Sequence, residues 1–147
     1  MSRFLASEEE TAAFAARLAP LLEPGTIVYL QGPLGAGKTT LVRALLRARG
    51  VRGRVRSPTY TLVEDYPGVV HFDLYRLSDP EELEGIGLRD FLDGRTIFLI
   101  EWPERGEGVL PPPDLTIRLH PAGSGRDLAV EAGSPRGERI VKRLAQI

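Results

Sequence analysis

Apolar side chains recur at helical spacing early in the chain. Phe14, Leu18, Leu21 and Leu22 follow that rhythm among polar and acidic neighbours, which predicts an amphipathic helix. Ser7 and Glu10 form a capping-box pattern, in which the hydroxyl accepts a free helix N–H. The helix fades between Pro20 and Pro24. The rhythm then changes to an unbroken apolar run, Thr26-Ile27-Val28-Tyr29-Leu30, flanked by Gly25 and Gly32. A short run of this kind, rich in β-branched and aromatic residues, predicts a strand covered on both faces. A glycine-rich turn at 32–37 follows, then a helix to about Arg49 that Gly50 stops.

Residues 58–66 and 69–73 read as two more strands around the Pro67-Gly68 turn. Asp79-Pro80-Glu81-Glu82 has the form of a helix start, with Pro in the first turn and acids favoured by the helix dipole. Thr96-Ile97-Phe98-Leu99-Ile100 is a second buried-type strand. Beyond the stiff Pro111-Pro112-Pro113, Leu115, Ile117 and Leu119 alternate with Thr116 and Arg118. Leu128 and Val130 resume the alternation after the loop at 121–125, which predicts an antiparallel hairpin. Ser134-Pro135 caps a final helix carrying Ile140, Val141 and Leu144. With no repeat, low-complexity tract or long linker, residues 1–147 read as a single α/β domain whose sheet has a mostly parallel centre.

Composition narrows the function classes. There is no cysteine, so disulfides, thiolate nucleophiles and cysteine zinc sites are excluded. No apolar run reaches the ~18–20 residues needed to span a bilayer. The segment Met-Ser-Arg-Phe-Leu-Ala, followed by Glu8-Glu9-Glu10, is too acidic for a secretory signal, so the expected compartment is cytoplasmic. Net charge is −1 but unevenly spread. Lys38, Arg43, Arg47, Arg49, Arg52, Arg54 and Arg56 form a basic stretch, either a solvated face or a surface for a polyanion or acidic partner.

Gly32-Pro33-Leu34-Gly35-Ala36-Gly37-Lys38-Thr39 fits the phosphate-binding pattern G-x-x-x-x-G-K-[ST]. Glycines turn successive N–H groups inward to form a nest for phosphate oxygens, and the following helix aims its positive end at them. Lys38 reaches the terminal phosphates, and the Thr39 hydroxyl holds Mg²⁺. The context is the required one, a buried strand before the loop and a helix after it. A P-loop protein also needs an acid at the end of a neighbouring strand to hold the metal or its water. Asp73 ends Val69-Val70-His71-Phe72-Asp73, and Glu101 follows Ile97-Phe98-Leu99-Ile100. The residues alone leave their roles open. Ser57-Pro58-Thr59-Tyr60-Thr61 lies where a nucleotide-sensing switch would sit. The guanine-reading lysine–aspartate segment of GTPases is missing, and Asp65-Tyr66-Pro67-Gly68 is only a four-residue match to their switch, so the expected nucleotide is ATP.

Gly-Pro-Leu-Gly-Ala-Gly-Lys-Thr-Thr at 32–40, Ser-Pro-Thr-Tyr-Thr-Leu-Val at 57–63, His-Phe-Asp-Leu-Tyr-Arg at 71–76, Glu-Trp-Pro-Glu at 101–104 and Gly-Val-Leu-Pro at 108–111 occur together and in order. This set resembles the bacterial TsaE (YjeE) family, the ATPase of tRNA threonylcarbamoyladenosine synthesis, over about residues 5–131. Pro33 departs from the family, which often has an acid there. The resemblance implies a P-loop NTPase-like three-layer sandwich. It also implies slow Mg-ATP hydrolysis that supports turnover of the modification complex rather than performing the transfer. The implied partners are the two paralogous subunits of the threonylcarbamoyl-transferase complex, with tRNA met indirectly through them and no membrane.

Carried onto this chain, the resemblance has Leu34, Gly35, Ala36, Gly37, Lys38, Thr39 and Thr40 binding phosphates. Thr39 and Glu101 would hold Mg²⁺, and Asp73, with Lys38, would be catalytic by activating the attacking water. Glu8 and Gly125 would meet the nucleoside side. Trp102 would lie near the nucleotide or serve as a packing residue. Two other classes fit a bare P-loop. A small-molecule kinase needs an acceptor pocket and usually a mobile lid, for which the chain has no evident insertion. An ATP-gated RNA-binding adaptor would use the stretch at 43–56, which lacks interleaved aromatics for base stacking.

Overall fold

The buried run at 27–31 becomes the inner strand on which the sheet is built. In chain order the strands are β1 (Ser2–Leu5), β2 (Ile27–Gln31), β3 (Val63–Tyr66), β4 (Val69–Asp73), β5 (Ile97–Glu101), β6 (Leu115–Ala122) and β7 (Gly125–Ala132). The helices are α1 (Glu8–Leu18), α2 (Lys38–Ala48), α3 (Glu82–Gly85), α4 (Leu88–Phe91) and α5 (Pro135–Ala145). These elements come from a computed structural model that describes residues 1–53, 55 and 62–146. All seven strands join one sheet in the order β1-β7-β6-β2-β5-β4-β3. The inner strands β6, β2, β5 and β4 are parallel. The hairpin β6–β7 and the edge pairings of β1 and β3 are antiparallel.

One face carries the larger core. Phe14 and Leu18 of α1, Leu41 and Leu45 of α2, and Ile140 and Leu144 of α5 close over Leu30, Leu99, Ile117 and Leu128. The Ser7 hydroxyl accepts the Glu10 N–H at 3.2 Å, which starts α1 where the capping pattern placed it. Ser134 caps α5 in the same way, accepting the Gly137 N–H at 3.0 Å. On the other face Val70, Phe72, Phe98 and Ile100 pack under Leu83 of α3 and Leu88 of α4, with the Phe72 and Phe98 rings stacked at 5.8 Å. The fold is the P-loop NTPase-like α/β sandwich expected, with a thin third layer of two single-turn helices.

Three details differ from the sequence reading. β1 was not anticipated, because four residues with only Leu5 buried carry too little alternation to register as a strand. The helix expected from Asp79 divides into α3 and α4, interrupted where Gly87 adopts φ +83°. Among the described residues of the strand expected at 58–66, β3 holds Val63–Tyr66, and Leu62 at φ +67° stands outside it. Residues 58–61 of that strand, and the whole switch-like segment Ser57–Thr61, lie outside the described residues. Among the described residues, no helix is long and apolar enough to cross a membrane.

Candidate functional site

Parallel strands bring their C-terminal ends to one edge, the edge where α/β sheets bind ligands. β2 runs out there into the turn at 32–37, between its neighbours β5 and β6. Asp73 and Glu101, the last residues of β4 and β5, are directly opposed in the register, and Leu30 of β2 opposes Glu101 from the other side. The two candidate acids and the loop are therefore gathered by sheet register, which sequence separation conceals. A cleft of about 430 Å³ opens among them. It is lined by residues 34–40, Asp73, Tyr75, Arg76, Glu101, Trp102 and Arg126.

The loop is shaped by glycines at two close approaches. Gly32 has φ +149°, and a Cβ there would stand 2.3 Å from the Leu119 carbonyl oxygen of β6. Gly37, at φ +103°, leads directly into α2 and leaves no room for a side chain, since a Cβ would fall 1.7 Å from the Arg126 guanidinium. No side chain caps the N-terminus of α2. The first-turn N–H groups of a helix have no intrahelical acceptor, and the dipole there favours an anion. Leu34 stands exposed at the rim, whereas Ala36 is buried.

Lys38 is the cation at the centre. Its ammonium donates to the carbonyl oxygen of Gly32 and, at 3.2 Å, to that of Pro33, and it lies 3.9 Å from the centroid of the Trp102 ring. Burial pushes its pKa below the usual lysine value, against the opposing pull of Glu101, Glu104 and Asp73. Thr39 donates its hydroxyl to both carboxylate oxygens of Glu101, at 3.0 and 3.1 Å. Glu101 is almost fully buried and also meets Nε2 of His71 at 2.6 Å. Asp73 accepts the Tyr75 N–H at 3.1 Å. Burial, and next the negative charge of Glu101, hold its carboxyl above the usual aspartate value. The Tyr75 N–H, His71 and Lys38 act in the opposite direction.

Of the sequence-predicted residues, the structure brings together Leu34 to Thr40, Asp73 and Glu101. Trp102 joins them at φ +57°, its ring 5.0 Å from that of Tyr75. Glu8 and Gly125 do not line the cleft. Gly125 lies against the end of β1, where a Cβ would approach the Leu5 carbonyl oxygen to 2.4 Å. Sequence reasoning missed Arg126. This residue pairs with Leu5 across β7 and β1, lines the cleft, and donates from Nη1 to the Ala36 carbonyl at 3.2 Å. Its only signal was a position next to Gly125, because the reach from hairpin to loop is set by the fold. Tyr75 and Arg76, which also line the cleft, fall within the 71–76 motif.

Comparison with known proteins gives one consistent result. The family model "Threonylcarbamoyl adenosine biosynthesis protein TsaE" matches residues 5–128. The tRNA threonylcarbamoyladenosine biosynthesis protein TsaE of Haemophilus influenzae is 41% identical, with 99% of this chain and 98% of that protein covered. The protein of the same name from Bacillus subtilis is 36% identical over 94% of this chain and 89% of its own length. Among solved structures, the crystal structure of Bacillus subtilis YdiB superposes with a TM-score of 0.83. It is 28% identical, and 99% of this chain and 94% of that one are covered.

Proposed function

The chain belongs to the TsaE family of threonylcarbamoyladenosine biosynthesis, and from that membership we propose that it is a single-domain, cytoplasmic P-loop ATPase. In this reading it binds Mg-ATP and hydrolyses it slowly in support of the tRNA modification complex. The observation that carries the reading is the convergence, in one cleft, of an uncapped glycine-turned helix start, Lys38, the Thr39–Glu101 pair and Asp73. These are the parts that phosphoryl transfer needs, since its catalysis is positioning plus electrostatics.

The amides of residues 35–40 would cradle the phosphates. Lys38 would leave the carbonyls of Gly32 and Pro33 for the terminal phosphate oxygens. The Thr39 hydroxyl and the Glu101 carboxylate are hard oxygen donors that suit Mg²⁺. Among the described residues there is no cluster of three or more His, Cys, Asp or Glu to hold a metal unaided. This fits an ion bound through one carboxylate together with substrate phosphates. When bound, Mg²⁺ neutralises charge developing on the phosphate oxygens. Asp73, its carboxyl held above the usual value, would hold and activate a water as a base. Arg126 would enter from the hairpin side, with Gly125 beside it. Glu8, the first residue of α1, would be the second contact on the nucleoside side.

The departure of Lys38 from the Trp102 ring has an optical consequence. Trp102 is the single tryptophan of the chain, so its emission should change as ATP and MgCl₂ are titrated in. The change should disappear in the Lys38→Ala variant. An unchanged emission spectrum at saturating ATP would place Lys38 and the phosphates apart.

The reading extends to partners, which would be the two paralogous subunits of the transferase complex, with tRNA met through them. The experiment is ATP hydrolysis by the chain alone, with those subunits, and with subunits plus tRNA. A low basal rate that rises with the subunits is expected. Rapid saturating turnover by the isolated chain, or ADP release driven by a small hydroxyl substrate, would overturn partner-dependence in favour of a self-sufficient ATPase or a kinase.

A further inference from the structure

A buried histidine lies behind the acids of the cleft, and nothing so far gives it a task. His71 is in the middle of β4, within Val69-Val70-His71-Phe72, where all four positions are buried. In the register it opposes Leu99, two residue pairs behind Asp73 and Glu101. Alternation places His71, Asp73, Leu99 and Glu101 on the same face of the sheet. Leu99 belongs to the core that α2 covers, so this face lies beneath the P-loop helix. From His71 to Glu101 is then the diagonal cross-strand relation, which two long side chains can bridge, and they do so at 2.6 Å.

The direction of that bond follows from its partner. An ionised carboxylate only accepts, so the hydrogen belongs to Nε2 of His71. The other ring nitrogen, Nδ1, is buried and has no hydrogen-bond partner among the described residues. A buried polar atom without a partner destabilises the fold. A leucine or valine in this otherwise apolar stretch would avoid that cost. What the imidazole offers that a hydrocarbon lacks is its grip on Glu101. It takes Oε2, while Thr39 reaches both oxygens, so the carboxylate plane is held from below by His71 and from the helix by Thr39.

We propose that His71 is a positioning residue for the magnesium site: its Nε2–H pins one oxygen of Glu101 so that the other oxygen and the Thr39 hydroxyl are presented together to the cation. The proposal rests on the Mg-ATP reading above. Groups that orient a metal ligand from behind typically change metal affinity by about 10- to 100-fold when removed. The effect should therefore appear in the magnesium dependence of binding and not in nucleotide binding itself.

The test is equilibrium binding of a fluorescent ATP analogue in EDTA and across a MgCl₂ titration, for wild type, His71→Leu and His71→Gln. His71→Leu should bind the analogue in EDTA within about twofold of wild type, while its magnesium midpoint rises by about 10- to 100-fold. His71→Gln, whose amide nitrogen can stand in for Nε2, should recover most of that loss. Should His71→Leu fail to fold, His71→Met fills similar space without a donor and is read in its place. An unmoved magnesium midpoint in the donor-less variant overturns the proposal. So does an equal loss in EDTA and in magnesium, or a glutamine variant no better than leucine. Wild-type protein that binds no analogue in either buffer would instead bring down the ATP reading itself, and this proposal with it.

Discussion

Replacing Lys38 with alanine should lower ATP affinity by about two to three orders of magnitude while leaving the protein folded. The ammonium would make charge-assisted hydrogen bonds to the terminal phosphates, each worth about 1.5–3 kcal/mol. The gross loss is not the net loss, because the same ammonium is bonded to the carbonyls of Gly32 and Pro33 and lies over the Trp102 ring. ATP must compete with those contacts, which leaves a difference of about 3–4 kcal/mol, and each 1.4 kcal/mol is tenfold in affinity. Two effects on stability oppose each other. Two carbonyls lose a donor, but a cation whose pKa burial has lowered is removed. The melting temperature should move by no more than about 5 °C, since 1 kcal/mol corresponds to a few degrees at this size. Calorimetric titration with ATP and MgCl₂, paired with thermal denaturation, measures both. Wild-type affinity in the variant would mean that the turn at 32–37 does not hold the triphosphate.

The parts of this site that were legible in the sequence are those whose chemistry is local. Strand, turn and helix are contiguous from Ile27 to Ala48, so pattern and motif find them together. Asp73 and Glu101 were also visible as acids closing apolar runs. That they face each other, and that Thr39 donates to Glu101 and to no other acid, depends on register and helix placement between segments dozens of residues apart. Arg126 shows the limit most clearly. A lone arginine after a hairpin glycine has no local signature, yet antiparallel pairing carries it onto Ala36. His71 was hidden for the opposite reason, because a single polar letter in a hydrophobic strand reads as an accident until its partner is seen. The basic stretch after the P-loop is open to solvent where it is described, which both a solvated face and a partner surface require. Arg43, Arg47, Arg49 and Arg52 are exposed, and Arg47 turns back to the Val51 carbonyl at 3.2 Å.

Asp73→Asn should separate catalysis from stability, because the two pull on the same carboxyl in opposite directions. Burial and the charge of Glu101 raise the pKa of Asp73 in the folded protein. A raised carboxyl binds its proton more tightly folded than unfolded. Its ionisation therefore destabilises the fold, and stability falls as pH rises from the ordinary aspartate range, about 4, through the folded value. Asparagine never ionises, and its side-chain oxygen can still accept the Tyr75 N–H. The variant should melt higher than wild type at pH 7–8, with the gap closing as pH is lowered towards about 4. Binding of Mg-ATP should be retained or tightened, because one negative charge leaves the neighbourhood of the triphosphate. Hydrolysis, measured with the partner subunits present, should drop by about 10²- to 10⁴-fold if the carboxylate serves as the base. A base kept strained and ionised at some cost in stability is a common pattern at functional sites. Loss of magnesium-dependent binding in Asp73→Asn would exchange the roles of the two acids, making Glu101 the base. Wild-type turnover would remove Asp73 from the chemistry altogether.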